Sequence, residues 1–362
     1  WFFLASQIEP SEYGELQWFI ALAGILSSVA LVGNVSTITV YASKNIPIQS
    51  TLNFISLLAS AILALVVIII FPSFNIIDSG ILLIAYVINS LAVGDLLGRK
   101  KFQEYSKYTI VQKGLTLGLG FLFYYLFGYE AIIFALVITY VHHYRRVIVI
   151  FKEMRLNLQL IKDRKGFIIN NYFSSSLLLG AIGTGHIDKI IITPILGFTL
   201  LGNYSLALQI IGVMMIITSI FFKYMVPEES SGKNIKQIQK IMIISSVGFT
   251  LLGLFVVPSI LPIIFPEYLE SVDSIRIMSL SIIPMSIIQI YTSKFLALEK
   301  SKFIIISLII SLSVLTPTMI VFGQWYGVSG IAAAFVISTI IQSTYFIISN
   351  KKWNKVKGNR GL

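Results

Sequence analysis

Residues 303–350 read FIIISLIISLSVLTPTMIVFGQWYGVSGIAAAFVISTIIQSTYFIISN, with Lys300 and Lys302 before them and Lys351 and Lys352 after. No Asp, Glu, Lys or Arg interrupts the stretch. It divides into two apolar runs, 303–322 and 328–349, each about as long as a helix must be to cross the hydrocarbon of a bilayer. Basic residues flank the pair at both ends, so both ends are expected on one side of a membrane.

Outward from this stretch the same pattern fills the chain. Further runs lie at 16–42, 51–71, 76–97, 106–127, 130–150, 168–193, 201–226, 240–264 and 274–297, which makes eleven spans in all. Trp1–Ile8 is expected to be the outer end of a twelfth, the first helix being mostly missing, and it lacks the basic start and cleavage site of a signal peptide. Composition agrees. The 362 residues are 56% hydrophobic and only 12% charged, with a mean hydropathy of +0.87. Too few charges are present to coat a soluble fold, so a water-soluble enzyme and a disordered chain are both excluded. Cysteine is absent, which removes disulfides, thiolate chemistry and Cys-ligated zinc.

The net charge of +11 is ambiguous until it is placed. Counted by alternate loops, 24 of the 27 basic residues fall on one side and only Arg276 on the other, with Lys113 and Lys189 inside spans. The opposite loops carry Glu9, Glu12, Glu15, Asp78, Glu130, Glu267, Glu270 and Asp273. This asymmetry predicts that the C-terminus and the 151–167 loop face the cytoplasm, in a multi-pass protein of the cell membrane. Because the basic residues are spread over every inner loop, nucleic acid is not an expected partner.

The chain also repeats itself. Tyr13-Gly14-Glu15 is echoed by Leu201-Gly202-Asn203, and Phe71-Pro72-Ser73-Phe74 by Phe265-Pro266-Glu267-Tyr268. Leu97–Phe102 matches Leu298–Phe303, and Gly128–Ile138 matches Gly327–Ile337. The offsets are 188, 194, 201 and 199. Each repeat contains six spans, an even number, so the two halves run in the same sense about an axis along the membrane normal. The fold class read here is an all-α polytopic membrane protein of about twelve transmembrane helices in two parallel six-helix repeats with a central cleft. The expected division is a bundle over 1–150 with an incomplete first helix, a basic linker over 151–167, a bundle over 168–349 and a basic tail over 350–362. No nucleotide-binding phosphate loop exists, since Gly232-Lys233 is followed by Asn234 and lacks the earlier glycine. A secondary, gradient-driven transporter with no cofactor is therefore the expected type, and not an enzyme.

Several stretches carry a family resemblance: Pro10-Ser11-Glu12-Tyr13-Gly14, Asp188-Lys189-Ile190-Ile191-Ile192, Leu196-Gly197 and Leu201–Ala207. Phe265–Tyr268, Leu296–Lys302 and Tyr326–Ala334 continue it. Over nearly its whole length the chain resembles the Wzx-type polysaccharide flippases of the multidrug/oligosaccharidyl-lipid/polysaccharide exporter superfamily. The resemblance implies movement of a polyprenyl-diphosphate saccharide from inner to outer leaflet by alternating access, for export of a surface glycan. It implies membrane lipids and the lipid-linked saccharide as partners, with glycosyltransferases or a polymerase of the same pathway beside them. A cation-coupled multidrug antiporter of the same superfamily is the alternative, and a membrane-embedded glycan-processing enzyme or a scaffold stands further off.

Charge inside a span is costly and asks for a reason. Lys113 and Lys189 are the candidates for meeting a substrate diphosphate; as structure alone, each would snorkel to headgroups. Asp188 and Asp95 are the candidates for ion coupling or gating; Asp95 also precedes Arg99 by four residues, the spacing of a simple helical ion pair. Asn34, Ser36, Thr37 and Gln209 are candidates for lining a polar cleft, or for bonding a nearby carbonyl. Gly180, Gly183 and Gly185, just before Asp188, are hinge candidates, or sites of close helix packing, as Gly114 and Gly118 are. His186 has no companions at ligand spacing, and no metal site is expected. Residues 227–240 read as a surface linker.

Overall fold

The computed structural model describes residues 1–32, 38, 49–70, 74–99, 101–140, 148, 157–163, 165–172, 186–230, 235–298 and 300–359. Among these, the secondary structure is helical, with no strand. In chain order the helices are α1 (Phe2–Ala5), α2 (Pro10–Ala30), α3 (Gln49–Ile70), α4 (Phe74–Gly98) and α5 (Phe102–Phe127). Then come α6 (Ile132–Thr139), α7 (Leu158–Asp163), α8 (Lys165–Asn171), α9 (Ile187–Met214) and α10 (Ile216–Ser230). The last are α11 (Lys236–Leu251), α12 (Val257–Ile264), α13 (Ser271–Ser279), α14 (Ile282–Ala297) and α15 (Ser301–Asn359). Six described helical segments are long and apolar enough to cross a membrane, by length and composition, and counting α13 with α14, bent by 46°, as one span brings the number to seven.

Helix is the only form in which an open segment satisfies its own backbone in lipid. The hydroxyls inside the spans follow the same logic. Thr139 donates to the carbonyl of Leu136, Ser279 to Ile275, Ser307 to Ile304 and Ser338 to Phe335. Each is thereby satisfied within its own helix. Exposure is inverted relative to a soluble protein. On α3 the buried face is Thr51, Leu52, Asn53, Ser56, Ser60 and Ala64, while Leu58, Ile62, Leu65 and Ile69 point outward. Small and polar residues at the helix contact with large aliphatics on the outside is the packing of a membrane bundle.

Two of the longest helices are broken at a glycine. Gly327 in α15 has φ +59°, and Gly197 in α9 has φ +84°, conformations that only glycine adopts without strain. A Cβ on Gly330 would overlap the carbonyl oxygen of Phe322. In one straight helix those residues would stand roughly 12 Å apart. Helix α15 therefore doubles back at Gly327, matching the break read between 322 and 328. Gly128, the residue paired with Gly327 in the sequence repeat, has φ +83° and separates α5 from α6. It thus fixes the boundary between the 106–127 and 130–150 spans.

The helices form two compact units, one of residues 1–15 and 191–362, the other of residues 16–190. In the first unit, the motifs shared between the repeats meet one another. A Cβ on Gly14 would overlap the Phe198 carbonyl, and one on Gly202 would overlap the Pro10 carbonyl. The two glycines matched at offset 188 are thus the two that let α2 and α9 cross at backbone contact. Around them Tyr13, Tyr204 and Tyr268 are fully buried, with Tyr13 edge-on to Tyr268 at 6.1 Å. Tyr268 donates to the Ile8 carbonyl at 3.1 Å. Ser271 donates to Asn203 Oδ1 at 2.8 Å. In the second unit, Ala30, Leu31, Ile38, Val87 and Leu91 form a core against Leu57, Ala59 and Leu63, and Tyr86 meets Tyr140 edge-on at 5.6 Å.

Candidate functional site

Two polar constellations stand out, one in each unit. In the unit of residues 16–190, the start of α9 lies along one face of α2. Gln17 and Gly24 are seven residues apart on α2, two helical turns, and so share a face. His186 and Lys189 are three apart and present a matching pair. Lys189 Nζ donates to Gln17 Oε1 at 2.8 Å. The His186 ring lies over Gly24, where a Cβ would come within 2.6 Å of Nε2; any side chain there would displace the imidazole. Asp188, 4% exposed, accepts the Lys189 backbone N–H at 2.9 Å. A carboxylate in the first turn of a helix also meets the positive end of the helix dipole. Gln17 Nε2 and His186 Nδ1 are buried with no hydrogen-bond partner among the described residues. The cluster therefore joins a cation, a carboxylate, an amide and an imidazole, with polar atoms to spare.

Lys113 is exposed on α5. A Cβ added at Gly114 or Gly118 would meet nothing within 4 Å, so these glycines hold no close helix contact among the described residues. Asp95 is buried and accepts from Arg99 Nε at 2.7 Å, so its carboxylate is engaged by the i,i+4 partner that its spacing suggests. Gln209, in the other unit, donates through Nε2 to the Tyr13 hydroxyl, while its Oε1 is buried without a partner among the described residues. Asn34, Ser36, Thr37, Gly180, Gly183 and Gly185 lie outside the described residues. No cluster of three metal-ligating side chains occurs among the described residues.

The second constellation is a cavity of about 780 Å³ in the unit of residues 1–15 and 191–362. Lys236, Gln239, Lys240, Ile243 and Ile244 line it from α11, and Ile287, Ile290, Tyr291 and Lys294 from α14. Both sets follow the i, i+3, i+4, i+7 spacing of a single helical face. Asn350 from α15 and Glu229 from α10 complete the polar lining. Lys294 Nζ donates to Asn350 Oδ1 at 2.7 Å, and Ser293 Oγ donates to Glu229 Oε2 at 3.0 Å. Burial pushes the Glu229 carboxyl up from its ordinary pKa, against the opposing pull of the Ser293 hydroxyl and the Lys294 charge.

Polarity alone makes 227–240 read as a linker, and that reading hides the cavity. Helix in fact continues to Ser230 and begins again at Lys236. The amphipathic spacing from Lys236 to Ile244 is the signal that exposes it.

No family model and no curated protein matches the chain. Solved structures do match in fold. A multidrug resistance MATE family transporter of the MOP superfamily, in an outward-facing conformation, superposes with TM-score 0.65 at 14% identity. That match covers 99% of this chain and 92% of that one. A MATE protein in its bent conformation matches with TM-score 0.62 at 13% identity, over 98% of this chain and 95% of that one. The lipid II flippase MurJ, in an inward closed conformation, matches with TM-score 0.59 at 14% identity, over 94% and 87%. The chain has the all-α polytopic membrane fold that these transporters share.

Proposed function

We propose that the protein is a secondary transporter that flips a polyprenyl-diphosphate saccharide from the inner to the outer leaflet. The observation that carries this reading is the polar cluster of Lys189, Gln17 and His186, which brings a cation, an amide and an imidazole together inside the bundle. An ammonium positioned by a neutral amide is a donor suited to an anionic ligand, and a diphosphate is the anion a lipid-linked sugar offers. The sugar's hydroxyls suit the spare Gln17 Nε2 and His186 Nδ1 atoms. The polyprenyl tail stays in lipid, so that no bare polar group is drawn through hydrocarbon. Alternating access supplies the movement, with the cytoplasmic side at the basic end of the helices. Similarity in fold to MurJ, a lipid II flippase, supports this class of cargo.

A second reading rests on Asp188. A buried carboxylate beside the cluster also suits a cation-coupled drug antiporter, a reading that the fold shared with the multidrug resistance MATE transporter supports. One preparation separates the two. The chain is reconstituted in vesicles with a fluorescent polyprenyl-diphosphate sugar, and leaflet transfer is read by quenching. Flipping lost in Lys189→Ala and Gln17→Ala supports the first reading. Absence of flipping, together with ethidium efflux that Asp188→Asn abolishes, selects the second.

A further inference from the structure

The cavity between α10, α11, α14 and α15 takes no part in the cluster around Lys189, and its chemistry is distinct. We propose that it is a binding site for the phosphoryl headgroup of an anionic amphiphile, with Lys236, Lys240 and Lys294 holding the phosphate and the isoleucines receiving the hydrocarbon.

Charge selects the headgroup. Among the described lining residues, three lysines face one carboxylate, Glu229, and that carboxylate is already held by Ser293. The described lining is therefore net cationic. Lys294 spends one of its three donors on Asn350, which fixes its ammonium at the wall while leaving donors for a ligand. Lys236 and Lys240, one turn apart on α11, stand where a headgroup would be gripped from a second side.

The walls select the rest of the ligand. Ile243 and Ile244 from α11, Ile287 and Ile290 from α14, and Ile347 from α15 give the cavity its apolar surface. A free inorganic phosphate meets the lysines but leaves those isoleucines unused, whereas hydrocarbon gains from being buried against them. An amphiphile meets both surfaces at once. The volume of about 780 Å³ lies within the roughly 300–1,000 Å³ of small-ligand sites. Gln239 and Tyr291 add neutral hydrogen-bonding groups suited to a glycerol or sugar hydroxyl.

Two sources offer this chemistry: a glycerophospholipid of the leaflet at the basic end, and a polyprenyl-linked saccharide phosphate. The test uses the full chain in detergent, with bound lipid counted by native mass spectrometry. The probes are phosphatidylglycerol, a polyprenyl-diphosphate sugar and dioleoylglycerol, with inorganic phosphate as competitor. Phosphatidylglycerol should bind at one saturable site that dioleoylglycerol does not fill. Lys236→Gln/Lys240→Gln, both exposed and so compatible with folding, should weaken it about 30-fold at an unchanged melting temperature, each lysine contributing what it does at an anionic membrane surface.

Raising salt should weaken wild-type binding in the same direction. Tighter binding of the polyprenyl probe would make the occupant cargo, and tighter phosphatidylglycerol would make it bilayer lipid; either result upholds the site. Equal binding by the double variant, equal binding of dioleoylglycerol, or full displacement by inorganic phosphate would overturn it. The site stands independently of flipping. A chain that transports no labelled sugar and still binds phosphatidylglycerol here would remove the proposed function and leave this site in place.

Discussion

The two ends of the unit built from residues 1–15 and 191–362 are made in opposite ways. At one end α2 and α9 touch backbone to backbone through Gly14 and Gly202, ringed by the fully buried Tyr13, Tyr204 and Tyr268. At the other, α11 and α14 pack side by side and leave a cavity lined by lysines and isoleucines. Two of the motifs that carry the family resemblance, Leu201–Ala207 and Phe265–Tyr268, lie at the closed end, where Asn203 bonds to Ser271 just beyond the second motif. Those motifs specify a seal. The cavity end holds a concentration of cations facing apolar walls, and it contributes little to any motif.

The sharpest way to break the comparison is to fill the closed end. Gly202→Val places a branched side chain where the Pro10 carbonyl sits, and the clash is with backbone, which cannot rotate away. Overpacking costs about 1–3 kcal/mol where side chains can shift, so a cost above that range is expected here. Thermal melting followed by size-exclusion chromatography should show loss of the folded species. A variant that melts within about 2 °C of the parent would show that the helices separate at this crossing without harm.

At the open end the effect is smaller and runs through pH. Glu229 is raised above its ordinary pKa, chiefly by burial. The groups facing it are Ser293 and Lys294 from α14, Lys236 and Lys240 from α11, and Asn350 from α15. Protonating Glu229 removes the negative charge that, among the described lining residues, opposes a bound phosphate, so phosphatidylglycerol should bind more tightly as pH falls from about 8 to about 5, by tenfold for each unit that the ligand raises the carboxyl. The probe itself is a phosphodiester and does not titrate there. Glu229→Gln should hold the low-pH affinity at every pH. The sign for stability follows the same proton: the contribution of Glu229 is complete below the ordinary carboxylate pKa and is lost as pH rises through its folded value. A flat wild-type profile would detach Glu229 from the cavity's chemistry.

How much of this is legible in the chain differs by level. The all-α membrane fold is, because an apolar run between basic residues has one physical reading in a bilayer, and the breaks at Gly128, Gly197 and Gly327 sit where the runs divide. Lys189 is legible as a charge inside a run. Its partner Gln17 is not, since 172 residues separate them and an amide near a helix start carries no signal alone. The cavity lysines are hidden differently. Lys236, Lys240 and Lys294 all belong to the basic residues that set topology, and they look like nothing more. A residue can serve topology and chemistry together, and a charge tally cannot separate the two roles.

The smallest expected effect comes from filling a glycine where no backbone approaches. Gly114→Ala and Gly118→Ala on α5 add a methyl with nothing within 4 Å, so the clash that rules at Gly202 has no counterpart. Only the conformational gain remains. Alanine in a helix interior is favoured over glycine by up to about 1 kcal/mol, because the unfolded chain loses less freedom. Each variant should melt at or slightly above the parent temperature, and the pair should add, being independent in their surroundings. A fall in melting temperature would mean that this face of α5 closes against something in the membrane. A fall that grows with protein concentration in the parent's favour would identify that surface as a second copy of the chain. Glycine is thus tested at two sites of opposite character. At Gly202 the absent side chain is what the fold requires, and at Gly114 it is a cost that the described chain does nothing to offset.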